Sequence, residues 1–172
     1  IAAALHDIGK IEIPSSILQK PGKLTEEEFE IMKTHTTLGH ERLIRMGEDD
    51  PVVLDLVRHH HERFDGLGYP DRLTGDQIPV AARYFAVIDS FDAMTSIRPY
   101  RKETGAGAAE KAIAELEAGI RTRYCPGTVE MFVSMYRTGE LGWILEYFND
   151  KAAVPKFTGG VDVAGARKGL KS

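Results

Sequence analysis

The chain is poor in cysteine and tryptophan, with one of each in 172 residues. A single thiol, Cys125, excludes an intramolecular disulfide framework and a multi-thiolate zinc site, and reads as a structural residue in a reducing compartment. Excess positive charge is missing too. With 22 lysines and arginines against 26 aspartates and glutamates, the formal net charge is −4, which argues against duplex nucleic acid as a partner. No run approaches the roughly 18 apolar residues that would span a bilayer, and no charged-then-apolar leader opens the chain. The expectation is a cytoplasmic protein with no membrane segment. Alternation of apolar and polar residues long enough for a sheet is also lacking, yet 42% of the residues are hydrophobic, enough to bury a real core.

Helical signals fill what remains, and the fold class expected is all-α. Thr25 with Glu28 three residues later is a capping-box pattern before Phe29, Ile31 and Met32, and Gly47 is a stop, which predicts one helix over about 26–46 that Gly39 bends or weakens. Asp50-Pro51 starts another, running through Leu54 and Val57 to the triple histidine. A glycine-rich loop follows. Pro79 opens a helix to about Thr95 through Tyr84, Phe85, Ile88, Phe91 and Met94, and two more are predicted around Ala108–Leu116 and Val129–Tyr136. Trp143, Leu145, Tyr147 and Phe148 suggest a last short segment, and Met32, Met46, Met94, Met131 and Met135 read as core. The first residues, Ile1 to Leu5, resemble the last turns of a helix, so the chain is expected to be a piece of something longer. A domain over 1–150 and a Gly- and Lys-rich tail over 151–172 are the expected organisation.

All six histidines lie in the first 61 residues. From Asp7 to His35, His35 to His60 and His61 to Asp89 the intervals are 28, 25 and 28 residues, each about one helix plus its loop. Successive helices of a bundle would thus each bring a ligand to one point. His60 follows Val57 by three residues and His61 follows it by four, so both imidazoles border the buried stripe of their helix. Asp89 and Asp92 stand at i, i+3 one turn beyond Phe85, which directs a carboxylate at the apolar face. Burying it uncompensated is costly, and a metal ion removes that cost. Imidazoles and carboxylates without thiolates fit iron, manganese or zinc in a hydrolytic site. More than three ligands suit two metals about 3.5–4 Å apart, the arrangement that activates water for attack at phosphorus.

His6-Asp7-Ile8-Gly9-Lys10 resembles the H-D-x-G-K signature of the HD phosphohydrolase superfamily. His60-His61-Glu62-Arg63, Asp65-Gly66 and Gly68-Tyr69-Pro70 resemble the H-H-E and D-G-x-G-Y-P signature of HD-GYP domains, and residues 78–101 match the rest of that family's core. The resemblance covers about residues 1–135. It implies an HD-domain helical bundle with a metal centre between helices, acting as a phosphodiesterase that opens cyclic di-GMP to pGpG or GMP with two or three divalent ions, iron or manganese. His6, Asp7, His35, His60, His61 and Asp89 would be metal ligands, with Asp7 and Lys10 catalytic. Lys10, Arg98 and Arg101 would hold substrate phosphates, Tyr69 would contact substrate or a docking GGDEF-domain protein, and Asp92 would support a ligand from behind. An upstream sensory or receiver domain is implied as well. The family places a further Glu and His on a helix before the His-Asp pair, and its usual Phe-Asp-Pro stands here as Tyr124-Cys125-Pro126. His40 and His59 match no ligand position. The alternatives are a non-catalytic cyclic di-GMP sensor or GGDEF-docking module, and a hydrolase of another nucleotide; the Gly-Tyr-Pro loop and the two arginines favour the cyclic dinucleotide.

Overall fold

The computed structural model describes residues 2–96 and 106–141. Among these, eight α-helices and two 3-10 turns form, and no strand does. The helices are α1 (Ala2–Leu5), α2 (Ser15–Leu18), α3 (Glu26–Lys33), α4 (His35–Arg45), α5 (Pro51–His59), α6 (Val80–Thr95), α7 (Ala106–Ala118) and α8 (Pro126–Arg137). The 3-10 turns span Ile8–Glu12 and Gly75–Gln77. Both predicted start signals are realised. Thr25 Oγ1 accepts from Glu28 N while the Glu28 carboxylate accepts from Thr25 N, and Asp50 caps Val52 N one residue before Pro51.

The helix expected over about 26–46 is two helices, and the break falls at Thr34 rather than at Gly39. Four successive side chains turn back on the backbone there. Thr34, Thr36 and Thr37 hydroxyls donate to the carbonyls of Ile31, Lys33 and Thr34, and His35 Nδ1 lies 2.7 Å from the Met32 carbonyl. Side chains that compete for carbonyls three residues back bend a helix, and Thr34 N accordingly bonds Ile31 O, a 3-10 step. Gly39 sits inside α4 and serves packing instead. A β-carbon on Gly9 would collide with the His35 carbonyl, and one on Gly39 would come 3.1 Å from Gly9 N. The first 3-10 turn and α4 therefore cross backbone against backbone, which draws Asp7 and Lys10 up to His35.

Two apolar clusters hold the bundle. Leu43, Val53 and Val57 pack with Leu5 and Ile8 where α1, α4 and α5 meet. Val87, Phe91, Ala112, Ile113, Leu116, Tyr124, Val129 and Val133 join α6, α7 and α8, and α6 touches α5 on its other side. Tyr124-Cys125-Pro126 still makes the turn into α8, with Tyr124 buried and Cys125 at the N-cap. Four residues expected in the core are exposed: Met46, Met131, Tyr84 and Ile88. Tyr84, Ile88 and Met131 line an apolar cavity of about 430 Å³ between α6 and α8. Arg98, Arg101, Trp143 and the 151–172 tail fall outside the described residues.

Candidate metal centre

Three segments deliver side chains to one point. His6 and Asp7 come from the end of α1, His35 from the first residue of α4, and His60 and His61 from the end of α5, where Leu56 O still accepts His60 N. His35 is 1% exposed and His60 4%. The ring nitrogens of His35, His60 and His61 can offer one atom each within 4.8 Å of one another. Three of the rings have their second nitrogen tied to a backbone carbonyl: His6 Nδ1 to Ala3 O at 2.6 Å, His35 Nδ1 to Met32 O at 2.7 Å and His60 Nδ1 to Val57 O at 3.0 Å. Only an N–H can face a carbonyl, so each Nδ1 carries a proton; in His35 and His60 the Nε2 then presents a lone pair, whereas His6 Nε2 faces the Asp7 carboxylate at 3.2 Å and donates to it.

Those lone pairs converge. His35 Nε2 lies 3.4 Å from His60 Nε2 and 3.5 Å from Asp7 Oδ1, and Asp7 Oδ1 is buried without a hydrogen-bond donor. Acceptors facing acceptors in a desolvated spot repel unless a cation lies among them. Carbonyl-bonded imidazoles with free Nε2 atoms are also how proteins orient metal-binding histidines. The residues present therefore fit a divalent ion.

The electrostatics agree. Burial keeps His60 and His61 neutral, with pKa values pushed down to about 4 and about 3, and burial lowers His35 as well. The hydrogen bond with Asp7 raises His6 against its own burial. Burial pushes the Asp7 carboxyl up, but His6 Nε2 at 3.2 Å and Lys10 Nζ at 2.7 Å outweigh it and hold it well below the usual carboxylate range. Asp89, half-buried on α6, lines the apolar cavity together with His6, and burial raises its carboxyl. Asp92, one turn on, is exposed and accepts from the Ser96 hydroxyl at 2.7 Å.

The structure thus brings together His6, Asp7, Lys10, His35, His60 and His61, and sets Asp89 beside them. Tyr69 belongs to the same cluster: its ring lies 4.8 Å from that of His61 and 6.5 Å from that of His35. His40 stays half-buried on α4. His59 points away from the centre, to Asp71 at 3.0 Å.

Glu62 has no role that the motif alone assigns, and the fold supplies one. It is 4% exposed, and its carboxylate accepts from Asp71 N at 2.7 Å and Leu73 N at 3.1 Å. Arg58 grips the Asp71 carboxylate with two donors at 2.7 and 2.8 Å. The loop carrying Tyr69 is thereby tied to the residue next to His61. Its other end is fixed by Arg63 on Asp65 and by Asp65 N donating to Thr122 O at 2.9 Å. The signal in the sequence was an acid directly after a histidine pair; its burial, which calls for partners because unpaired glutamates are almost never fully buried, is visible only in the fold.

The family model described as HD domain matches residues 1–126. The chain belongs to the HD-domain family. Over 137 residues this HD domain is 47% identical to a cyclic di-GMP phosphodiesterase of Thermotoga maritima, an alignment covering 78% of this chain and 36% of that protein. Over 131 residues it is 49% identical to a cyclic di-GMP phosphodiesterase response regulator of Xanthomonas campestris pv. campestris, covering 76% of this chain and 34% of the relative. The chain thus spans about a third of the length of these curated relatives. Among solved structures, a cyclic GMP-AMP-specific phosphodiesterase of V. cholerae superposes with a TM-score of 0.60 at 16% identity, over 84% of this chain and 39% of that one. The helical bundle is the HD-domain fold.

Proposed function

We propose that this HD domain is a metal-dependent phosphodiesterase that hydrolyses cyclic di-GMP to pGpG or GMP. The observation that carries the reading is the convergence of neutral imidazole lone pairs and an undonated Asp7 oxygen on one buried point. The names of two relatives at nearly half identity supply the substrate class. His6, Asp7, His35, His60, His61 and Asp89 would hold two or three divalent ions, iron or manganese. Such ions, when bound, supply Lewis acidity at phosphorus and a water acidified enough to attack it.

The chain's own groups do the rest. Lys10 shares the Asp7 carboxylate and stands as the cation closest to that acid, placed to neutralise a phosphate oxygen as charge develops on it. Tyr69, packed on His61 and partly desolvated, offers a flat face to a nucleobase. Water adds to phosphorus, the phosphorus–O3′ bond breaks and the released 3′ oxygen takes a proton. Arg98 and Arg101 would meet the remaining phosphate charge, Asp92 would support Asp89 from behind, and the residue 65–70 loop is a candidate docking surface for a GGDEF-domain protein. The whole protein is proposed to act in the cytoplasm, with a sensory or receiver module joined to a domain over 1–150 and a tail over 151–172.

Anaerobically purified chain, loaded with iron or manganese, is incubated with cyclic di-GMP and the products are separated. The expected result is linear dinucleotide or mononucleotide that depends on metal and disappears in Asp7→Ala along with most of the bound metal. Undiminished turnover by a metal-depleted Asp7→Ala protein would sink the mechanism.

A further inference from the structure

A second cavity, of about 610 Å³, is lined by His61. Phe29, Tyr69 and Pro70 give it an aromatic wall, and three cations reach it: Lys33, Arg63 and Arg72. Two of these are already engaged. Lys33 bonds Glu30 at 2.6 Å and lies over the rings of Phe29 and Tyr69, and Arg63 is paired with Asp65. Arg72 is exposed, and no described residue gives it an ion pair or a hydrogen bond.

Its backbone is unusual as well. Arg72 has φ +55°, in the left-handed region that a side chain with a β-carbon adopts only at a cost. The conformation is imposed from both sides: Asp71 N and Leu73 N, the amides flanking Arg72, are the two donors held by the buried Glu62 carboxylate. The Asp71 side chain is fixed in turn by Arg58. A strained, clamped position beside a candidate site calls for an explanation beyond folding. A glycine or asparagine would sit there with less strain.

Resting on the function proposed above, we infer that Arg72 is a specificity-determining residue, adding a contact from the Tyr69 loop, besides those proposed for Arg98 and Arg101, to the phosphate of the cyclic dinucleotide that is not at the metal centre. The guanidinium is a planar fork of donors matched to phosphate oxygens. A substrate with one phosphate among His6, Asp7 and Lys10 would run its second nucleotide over Tyr69 into this cavity, which lies within the usual size of small-molecule sites. Glu62 is then a positioning residue that aims Arg72, and the cation supplies charge where Lys33 and Arg63 are already neutralised by acids.

Three variants separate charge from backbone strain: Arg72→Gly and Arg72→Asn, which both tolerate the left-handed region, and Arg72→Lys, which keeps the charge. Initial rates with cyclic di-GMP on the manganese-loaded chain are compared with thermal midpoints. The Gly and Asn variants are expected to raise KM about tenfold with kcat little changed and with a midpoint at or above wild type. Lys should recover most of the loss, and the penalty should shrink at about 0.5 M salt. Gly and Asn variants with KM within about twofold of wild type would overturn the inference and leave the proposed function standing. If wild type binds cyclic di-GMP without turning it over, the activity fails first and the same comparison is made on Kd, where equal values overturn the role of Arg72. A wild type that binds no cyclic dinucleotide removes both.

Discussion

At the scale of single residues, the tightest constraint is Gly9. It lies one residue from the Asp7–Lys10 pair, and its missing β-carbon is what lets the His35 carbonyl approach. Backbone cannot yield as a side-chain tip can, so Gly9→Ala is expected to cost about 3 kcal/mol of stability, read as a lower urea midpoint in the presence of chelator, and to reduce bound metal. A wild-type midpoint would mean that the crossing is looser than the contact implies. Glu62 makes a different prediction. Glu62→Gln keeps the volume but sets an NH₂ against one of two amide donors, at a cost of about 1–3 kcal/mol. Because Glu62 holds the loop and touches no ligand nitrogen, the variant should keep its metal while KM for cyclic di-GMP rises; loss of metal with unchanged KM would place Glu62 with the ligands instead.

At the scale of helices, α3 and α4 show how local chemistry serves the site. The capping box at Thr25 and Glu28 starts α3, whose Phe29 and Lys33 face the substrate-side cavity. Four side chains turned back on carbonyls then end it, and α4 restarts with His35 pointing inward. Thr25→Ala removes one cap acceptor far from the ligands and is expected to cost about 1 kcal/mol, seen in the denaturation midpoint with metal content unchanged. The helix α6 is apolar on two sides, toward α7 and α8 and toward the His6–Asp89 cavity. Tyr84 and Ile88 consequently lie at the cavity although their spacing matches a core stripe.

At the scale of the molecule, the centre joins α1, α4 and α5, so a bound ion acts as a cross-link between segments distant in sequence. An ion that binds only the folded chain stabilises it by about 2.7 kcal/mol at a concentration of 100 times Kd. Adding manganese to chelator-treated protein should therefore raise Tm by several degrees, and chelator should reverse the shift; an unchanged Tm at saturating metal would contradict the centre. Protons compete for the same nitrogens, so apparent affinity should fall as pH is lowered, first where His6, raised by Asp7, takes up its proton and then steeply toward about 4 and about 3, where His60 and His61 do.

Much of this architecture is legible without coordinates. Capping residues, proline at first helical positions and the periodicity of apolar residues are local, and local chemistry is what a sequence states directly; the helices starting at Pro51 and near Pro79 follow from it. The intervals between His6-Asp7, His35, His60-His61 and Asp89 announce candidate ligands carried by successive helices and their ends, and the two motifs around them point to the family. Other features depend on contacts between distant segments. That His35 begins a helix, that Gly9 and Gly39 touch, that Glu62 clamps Asp71 and Leu73, and that Arg72 is forced into the left-handed region all follow from which backbones meet. Sequence alone determined which residues can ligate and where helices can start. Only the tertiary structure decided which nitrogens carry protons, because that depends on the carbonyl each ring reaches once the helices have packed.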